Sequence, residues 1–576
     1  MKRAHLKYLL LPMLMPLMQA CGRHKSGAPE AGNGNDTTKV MVPPDPAVAP
    51  TTGFFMDSWQ PVRFTAPAAV PGTVPASGGV KVMVDASTVI CRISPALFGN
   101  NANPYMTQIV TQPVLMEHIK HLQPGIIRFP GGNLSSLYFW NAAPGSPPAD
   151  APAKILDGDG KEIDPNYWYG NNEFGHTLSL ANYYKLLQQT GNEGIITINY
   201  GYARYGLGPD PVAAAAHLAA DWVRHDKGRT RFWEIGNESN GNWQAGYRIR
   251  TANNKDGQPE FVTGELYGRH FRVFADSMRR AAAETGARIY IGAQLLEKEP
   301  ASWATATDKN WNTGVLTQAA AQADFYIVHS YFTPYMTNAA PAEILATATS
   351  GTAEMMAYID KSRKATNAPA RPVALTEWNI FSAGSKQMVS QVAGLHAVIV
   401  VEELIRQQYG MASRWDLANA WENGNDHGLF SKGEPASGES LWAPRPAFYY
   451  LWLLKKTLGD RCIPATVTTG QKDVLAYASS YSSGEMQVVL VNKGTTAADI
   501  TVDFKNFKPG GKYYWYTISG ESTGFSRKVV INGQGPAASI GGPADYMAVK
   551  AFSAEAAGGV RVNVPAMGVV IVQVEK

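Results

Sequence analysis

Beyond residue 95 the apolar positions of the chain fall into short unbroken runs separated by longer amphipathic stretches. Eight runs read as strands: 96–100, 125–129, 194–199, 231–236, 288–293, 324–329, 372–377 and 415–421. Apolar runs without polar alternation suit parallel strands covered on both faces. Between them, 211–225, 267–285, 389–408 and 446–458 keep their apolar residues at helical spacing. Strand and helix in alternation predict βαβ units, and eight such units over 93–458 predict a (β/α)8 TIM barrel. An open doubly wound sheet fits less well, since no Gly-rich phosphate loop follows the first strand.

The pattern changes at residue 459. Runs at 474–481, 486–492, 498–504, 512–518, 528–531, 546–552, 560–564 and 568–574 are short and bounded by turn residues. They predict a C-terminal antiparallel β-sandwich over 459–576. Segment 79–92 carries a strand of the same texture, 80–85, which is expected to pair into that sandwich. The fold class is therefore α/β: a barrel with a β-sandwich behind it.

The first residues read as an address. Lys2, Arg3 and Lys7 precede an apolar stretch over 8–18, and Ala20-Cys21 falls where cleavage of a signal peptide is expected. Met18-Gln19-Ala20-Cys21 resembles a bacterial lipoprotein box, with Met18 in place of the usual leucine. The expectation is a signal peptide over 1–20, lipidation at Cys21, and an exported bacterial lipoprotein that is outer-membrane or periplasm-facing, or otherwise a secreted protein. Residues 21–78 are rich in Pro, Gly, Ala, Ser and Thr and read as a flexible tether. Within them Phe54-Phe55-Met56 and Trp59 form an aromatic cluster suited to docking on the folded body.

Without residues 1–20 the formal net charge falls from +4 to +1, so nothing basic recruits nucleic acid. The composition, 45% hydrophobic, 10% aromatic and 17% charged, is that of a packed soluble protein. Apart from Cys21 only Cys91 and Cys462 are present, which excludes a disulfide-dense scaffold and a Cys-rich metal site. Those two could pair or remain buried thiols. The 11 histidines show no metalloprotease-type spacing.

Candidate chemistry sits where the strand-like runs end. Phe232-Trp233-Glu234-Ile235-Gly236-Asn237-Glu238 and Val373-Ala374-Leu375-Thr376-Glu377-Trp378-Asn379 each deliver a glutamate just past or at the end of a run. Two carboxyls from different strand ends are the minimum equipment for cleaving a glycosidic bond with retention: one protonates the leaving oxygen, the other attacks the sugar. Other strand ends are also polar: Arg128 through Asn133, Asn199, His329 with Tyr331, and Trp421. Each alone has a structural explanation, but their shared register points to one site. This chemistry needs no cofactor and no metal; its partner is a carbohydrate substrate, and the membrane enters only through the N-terminal anchor.

These strings resemble glycoside hydrolase family 51 of clan A, the α-L-arabinofuranosidases. The similar segments are Phe-Trp-Glu-Ile-Gly-Asn-Glu with Trp243-Gln244, Arg128-Phe129-Pro130-Gly131-Gly132-Asn133, 193–201, 324–331 ending in His-Ser-Tyr, and Thr376-Glu377-Trp378-Asn379. The resemblance implies Glu238 as general acid/base, Glu377 as nucleophile, and Arg128, Asn133, Asn237 and Tyr331 around the reacting sugar. Glu238 is then expected to carry a raised pKa while Arg128 keeps Glu377 ionised. Trp243, Trp378 and Trp421 would offer apolar faces to a sugar ring.

The family's further glutamate after the first strand is missing here. Asn101 or Asn103 stands in that loop as a neutral hydrogen-bonder. The start Ser94-Pro95-Ala96-Leu97-Phe98-Gly99-Asn100-Asn101 also resembles endo-acting β-glucanases of the same clan, so an endo-β-glycanase stays open, with inserts 142–168 and 248–262 long enough to build either a pocket or a cleft. A glycan-binding surface lipoprotein without catalysis is the third reading.

Overall fold

A computed structural model describes residues 46, 52–420, 426–433, 438–538 and 540–576. Eight parallel strands close into a barrel: β1 (Gly99–Asn101), β2 (Ile126–Phe129), β3 (Glu193–Ile198), β4 (Phe232–Ile235), β5 (Tyr290–Gln294), β6 (Phe325–Tyr331), β7 (Val373–Asn379) and β8 (Met411–Arg414). Closure comes from β8 pairing with β1, Ser413 opposite Gly99. Each strand is followed by a helix of the outer ring, from Pro113–Leu122 after β1 to Pro446–Thr457 after β8. Their starts carry the expected caps: the side chains of Ser179, Asp210, Thr263, Thr305 and Ser390 accept from the first-turn amides.

Two predicted strands are displaced. The first was expected over 96–100, but Pro95–Phe98 is a 3-10 turn and the strand begins at Gly99, because Pro95 behind the Ser94 cap starts a turn. The eighth was expected over 415–421 and lies at Met411–Arg414. There the apolar pair Met411-Ala412 faces the packed barrel, whereas 415–420 lie beyond the barrel strand, with Ala418–Asn419 paired separately to Phe430–Ser431.

Behind the barrel, two sheets enclose a second core. One runs through Ala69–Pro71, Ala551–Glu555, Lys512–Gly520, Gly568–Val574, Met486–Asn492, Val474–Ser480, Arg461–Ile463 and Cys91–Arg92; the other through Ala465–Val467, Val80–Asp85, Ala498–Lys505 and Val560–Val564. Val82, Val84, Val488, Leu490, Val562 and Val572 are buried between them. Most pairings are antiparallel, but Val80–Asp85 runs parallel to Ala498–Lys505 and Ala69–Pro71 parallel to Ala551–Glu555. Helix Gln391–Arg406 is buried along nearly its whole length, as befits a helix between barrel and sheet. Cys91 and Cys462 face each other in register on neighbouring strands, both buried and both free thiols.

Of the tether expected over 21–78, residues 52–78 carry structure: a 3-10 turn at Gly53–Met56 and the strand Ala69–Pro71 paired with Ala551–Glu555. Phe55 is buried against Ile126, Ile195, Phe232, Phe325 and Met411 and plugs the N-terminal mouth of the barrel, with Phe54 stacked on Tyr290. Trp59 lies under the guanidinium groups of Arg92 and Arg461, and Phe64 packs on Tyr481 and Tyr514. Four aromatic rings supply the apolar area that the surrounding Pro/Ala/Thr composition lacks. The proposed signal peptide, Cys21 and Trp421 lie outside the described residues. Among the described residues no helix is long and apolar enough to cross a membrane.

Candidate active site

Arg128 sits at the centre of the barrel mouth with no solvent exposure. Its Nε donates to Glu234 at 2.6 Å, Nη1 to Asn101 Oδ1 at 3.0 Å and to Glu377 Oε2 at 3.1 Å, and Nη2 to Asn237 Oδ1 at 2.8 Å. A planar guanidinium is the side chain that can hold four such acceptors in fixed directions. Burial opposes its charge, but Glu234 and Glu377 outweigh that and raise its pKa. Thr197 Oγ1 donates to the same Glu234 oxygen at 2.8 Å.

Glu238 is delivered by a sharp turn after β4. Gly236 is left-handed at φ +81°, and a Cβ there would stand 2.6 Å from Ser239 Oγ and 2.8 Å from Tyr200 Cβ. Glu238 itself adopts φ +43°, an uncommon conformation for a residue with a side chain, of the kind that clusters at functional sites. Glu377 depends on a different irregularity. The β6–β7 register skips between Val328 and His329, so His329 pairs with Glu377 and Thr376 is passed over. Regular alternation would send Thr376 and Glu377 to opposite faces; with the bulge both approach one imidazole. Thr376 Oγ1 lies 3.1 Å from His329 Nε2, and Glu377 Oε2 lies 3.8 Å from Nδ1.

His329 Nδ1 is also 3.0 Å from Glu238 Oε1. One oxygen of each glutamate and a ring nitrogen of His329 fall within 4.8 Å of one another. Trp243 Nε1 donates to Glu238 Oε2 at 2.9 Å, and Tyr331 donates to Glu377 Oε1 at 2.7 Å. Asn237 Nδ2 is buried without a partner, a donor left over beside the carboxylates. The Glu238–His329–Glu377 group also has the donor set of a divalent-metal site, though Arg128 already compensates the charge of Glu377.

The proton balance reverses the sequence-based expectation. Burial pushes the Glu238 carboxyl up, but the hydrogen bond and charge of His329, with Trp243 and Arg128, bring it below its ordinary value. Burial also pushes Glu377 up, and with the charge of Glu238 it prevails over His329, Arg128 and Tyr331. Burial works against a charged His329, but Glu238 and Glu377 raise its pKa. The imidazole accounts for the lowered Glu238, while burial and the charge of Glu238 account for the raised Glu377.

Above this cluster opens a cleft of about 830 Å³, lined among others by Asn133, Trp243, Tyr331, Tyr335, Phe381 and Trp415. Asn133 accepts from Gln244 at 2.8 Å. Five predicted contacts do not line it: Arg128 and Asn237, both buried, and Asn101, Asn199 and Trp378. Asn101 donates to the carbonyls of Thr376, Ser413 and Arg414 and braces Arg128. Asn199 holds Tyr138, Tyr202 and Tyr205 in place. Trp378, 2% exposed, belongs to the packed core, where it meets Phe332 edge-on. Asn103 is buried too and donates to Pro130 O at 2.8 Å.

Sequence reasoning passed over Glu234, Thr376, Glu297, Phe381 and Trp415. Glu234 left a signal, a lone charge inside an apolar strand; Thr376 meets His329 only through the bulge, and Glu297, Phe381 and Trp415 reach the cleft from loops.

The comparisons with known proteins agree with this architecture. Residues 118–339 match the family model described as the α-L-arabinofuranosidase 1 domain, a span that includes Arg128, Glu238 and His329 and stops before Glu377. An intracellular exo-α-(1→5)-L-arabinofuranosidase of Acetivibrio thermocellus is 27% identical over 234 residues, 38% of each chain. Its Streptomyces lividans counterpart is 24% identical over 46% of this chain and 37% of its own. The chain thus spans less than half the length of these curated relatives. In fold it is similar to the α-L-arabinofuranosidase of Thermotoga maritima, crystallised with arabinose (TM-score 0.59, 18% identity, 86% of this chain and 100% of that one). It is also similar to a Paenibacillus polymyxa xyloglucanase of family 44 (TM-score 0.56, 12% identity, 86% and 99%). The chain resembles clan A glycoside hydrolases, and within them family 51.

Proposed function

We propose that this protein is a retaining O-glycoside hydrolase, arabinofuranosidase-like, working by double displacement. The observation that carries the reading is the approach of one carboxyl oxygen of Glu238 to one of Glu377 within 4.8 Å. That spacing suits direct attack, for which carboxyls stand roughly 5–5.5 Å apart; an inverting pair is separated by about 6.5–9.5 Å to admit water.

Glu377 attacks the anomeric carbon, with Tyr331 and Arg128 fixing its two oxygens. Glu238 protonates the departing oxygen, drawing on the proton it shares with His329, then takes a proton from the water that hydrolyses the glycosyl-enzyme. Asn237 Nδ2 donates to the sugar hydroxyl next to the anomeric carbon, a bond that tightens as positive charge grows there. Arabinofuranose as the sugar is supported by the matched family model and by the names of the relatives. Endo action on a polymer is the second reading, favoured by a cleft larger than one sugar ring requires. Export and anchoring through Cys21 complete the proposal, supported by the pattern of residues 1–21.

Replacing Glu377 with Ala should lower turnover of a nitrophenyl arabinofuranoside by at least ~10³-fold, and azide should restore turnover by yielding a glycosyl azide of inverted configuration. Full activity of that variant would remove Glu377 from the mechanism. Oligosaccharide release from a polymer, without arabinose, would select the endo reading.

A further inference from the structure

We propose that the cleft contains a leaving-group subsite in which Glu297 binds neighbouring hydroxyls of a sugar on the departing side of the bond. The inference rests on the glycoside hydrolase reading above and names the class of its leaving group: a sugar with vicinal hydroxyls, as in an oligosaccharide or a branched polymer, rather than a simple alcohol.

Glu297 stands on the loop after β5, three residues beyond Gln294, where the strand ends. It lines the same cleft as Glu238 and Glu377, in company with Asn240 and Trp243 from the loop after β4 and Tyr335 from the loop after β6. Glu238 protonates the leaving oxygen, so the walls built by β4, β5 and β6 face the departing group. Glu238 and His329 are near enough for their charges to act on the Glu297 carboxyl, whose pKa is raised by burial first and by Glu238 among the further causes.

The Glu297 carboxyl takes a hydrogen bond from its own backbone and has acceptor positions to spare. Its side chain is 20% exposed, and its ion-pair partner is Lys298 at 3.6 Å, on a side chain 81% exposed. An exposed pair of that length fixes neither partner. A carboxylate has about four acceptor positions, and two of them match a vicinal diol. In the same cleft Trp243 is held by its N–H on Glu238 yet remains 59% exposed, so its indole face is presented next to the acid/base, where a sugar ring can stack. Tyr335, 73% exposed, packs edge-on against Phe381, which stacks on Tyr331. This aromatic series leads from the Glu377 carboxylate outward.

The test compares two substrates that share the cleaved sugar: its 4-nitrophenyl glycoside, whose leaving group has no hydroxyls to chelate, and an oligosaccharide in which that sugar is joined to another. The readout is the ratio of kcat/KM on the oligosaccharide to kcat/KM on the aryl glycoside. In Glu297→Gln and Glu297→Ala this ratio should fall roughly 10- to 100-fold, the range expected on losing hydrogen bonds to a charged group, with Glu297→Asp intermediate. An unchanged ratio overturns the subsite, including the case where both activities fall together through folding or through Glu238. A wild-type chain that cleaves neither substrate refutes the hydrolase reading itself, and the subsite with it.

Discussion

A guanidinium without solvent can be stable only if its acceptors arrive from several directions, and at Arg128 they come from β1, β4, β7 and the turn after β4. The same economy places His329 between Glu238 and Glu377, where one proton serves two residues. His329 has a raised pKa, so the protein retains the proton needed for leaving-group protonation to a higher pH than an ordinary imidazole would. In His329→Gln that proton resides on Glu238 alone, and the alkaline limb of the kcat/KM profile should move to lower pH. An unmoved limb would assign the proton to Glu238 without help. Arg128, Glu238, Glu377 and Tyr331 were legible as polar residues ending apolar runs. Asn101, Asn199 and Trp378 lie outside the cleft lining because a polar or aromatic residue at a strand end can face the lumen, the loop above it or the helices outside, and their backbone registers decide which.

At the scale of elements, irregularities do the positioning. The bulge between β6 and β7 turns Thr376 and Glu377 toward one imidazole, and the left-handed turn at Gly236 to Glu238 aims the other carboxyl. Neither has a sequence signature beyond one glycine. Helix Gln391–Arg406 shows a different tension: it is buried on nearly all sides yet carries Glu402 and Glu403. Glu403 is paired with Arg406 and Tyr477, while one oxygen of Glu402 is buried without a partner. Burial, with the neighbouring Glu403, pushes Glu402 up to about 8. The folded state therefore holds a proton that the unfolded chain releases near pH 4.5, so this contribution is complete below that pH and is lost as pH rises toward 8. Glu402→Gln should narrow the difference in unfolding free energy between pH 5 and pH 8 by a few kcal/mol, at ~1.4 kcal/mol per unit, as read from urea titrations at the two pH values. An unchanged difference would show Glu402 to be solvated in the native state.

For the whole molecule, the barrel is closed from below by Phe55 and flanked by the two-layered sheet, while its polar strand ends open into the cleft. The anchoring proposed through Cys21 is tested on the full chain. Expressed in a bacterium that exports lipoproteins, it should incorporate labelled fatty acid and sediment with membranes, and Cys21→Ser should abolish the labelling; labelling that persists would place the lipid elsewhere. The sequence by itself determined the alternation of strand and helix, the change to β texture at 459, and the two glutamates with Arg128, since periodicity and strand-end polarity are local properties of the chain. The tertiary structure alone decided the rest: that residues 60–78, beyond the aromatic cluster, are part of the folded body, that Cys91 faces Cys462, that His329 stands between the carboxyls, and that Glu297 enters the cleft. Each depends on segments distant in sequence meeting at ångström precision, and no local pattern carries the register that brings them together.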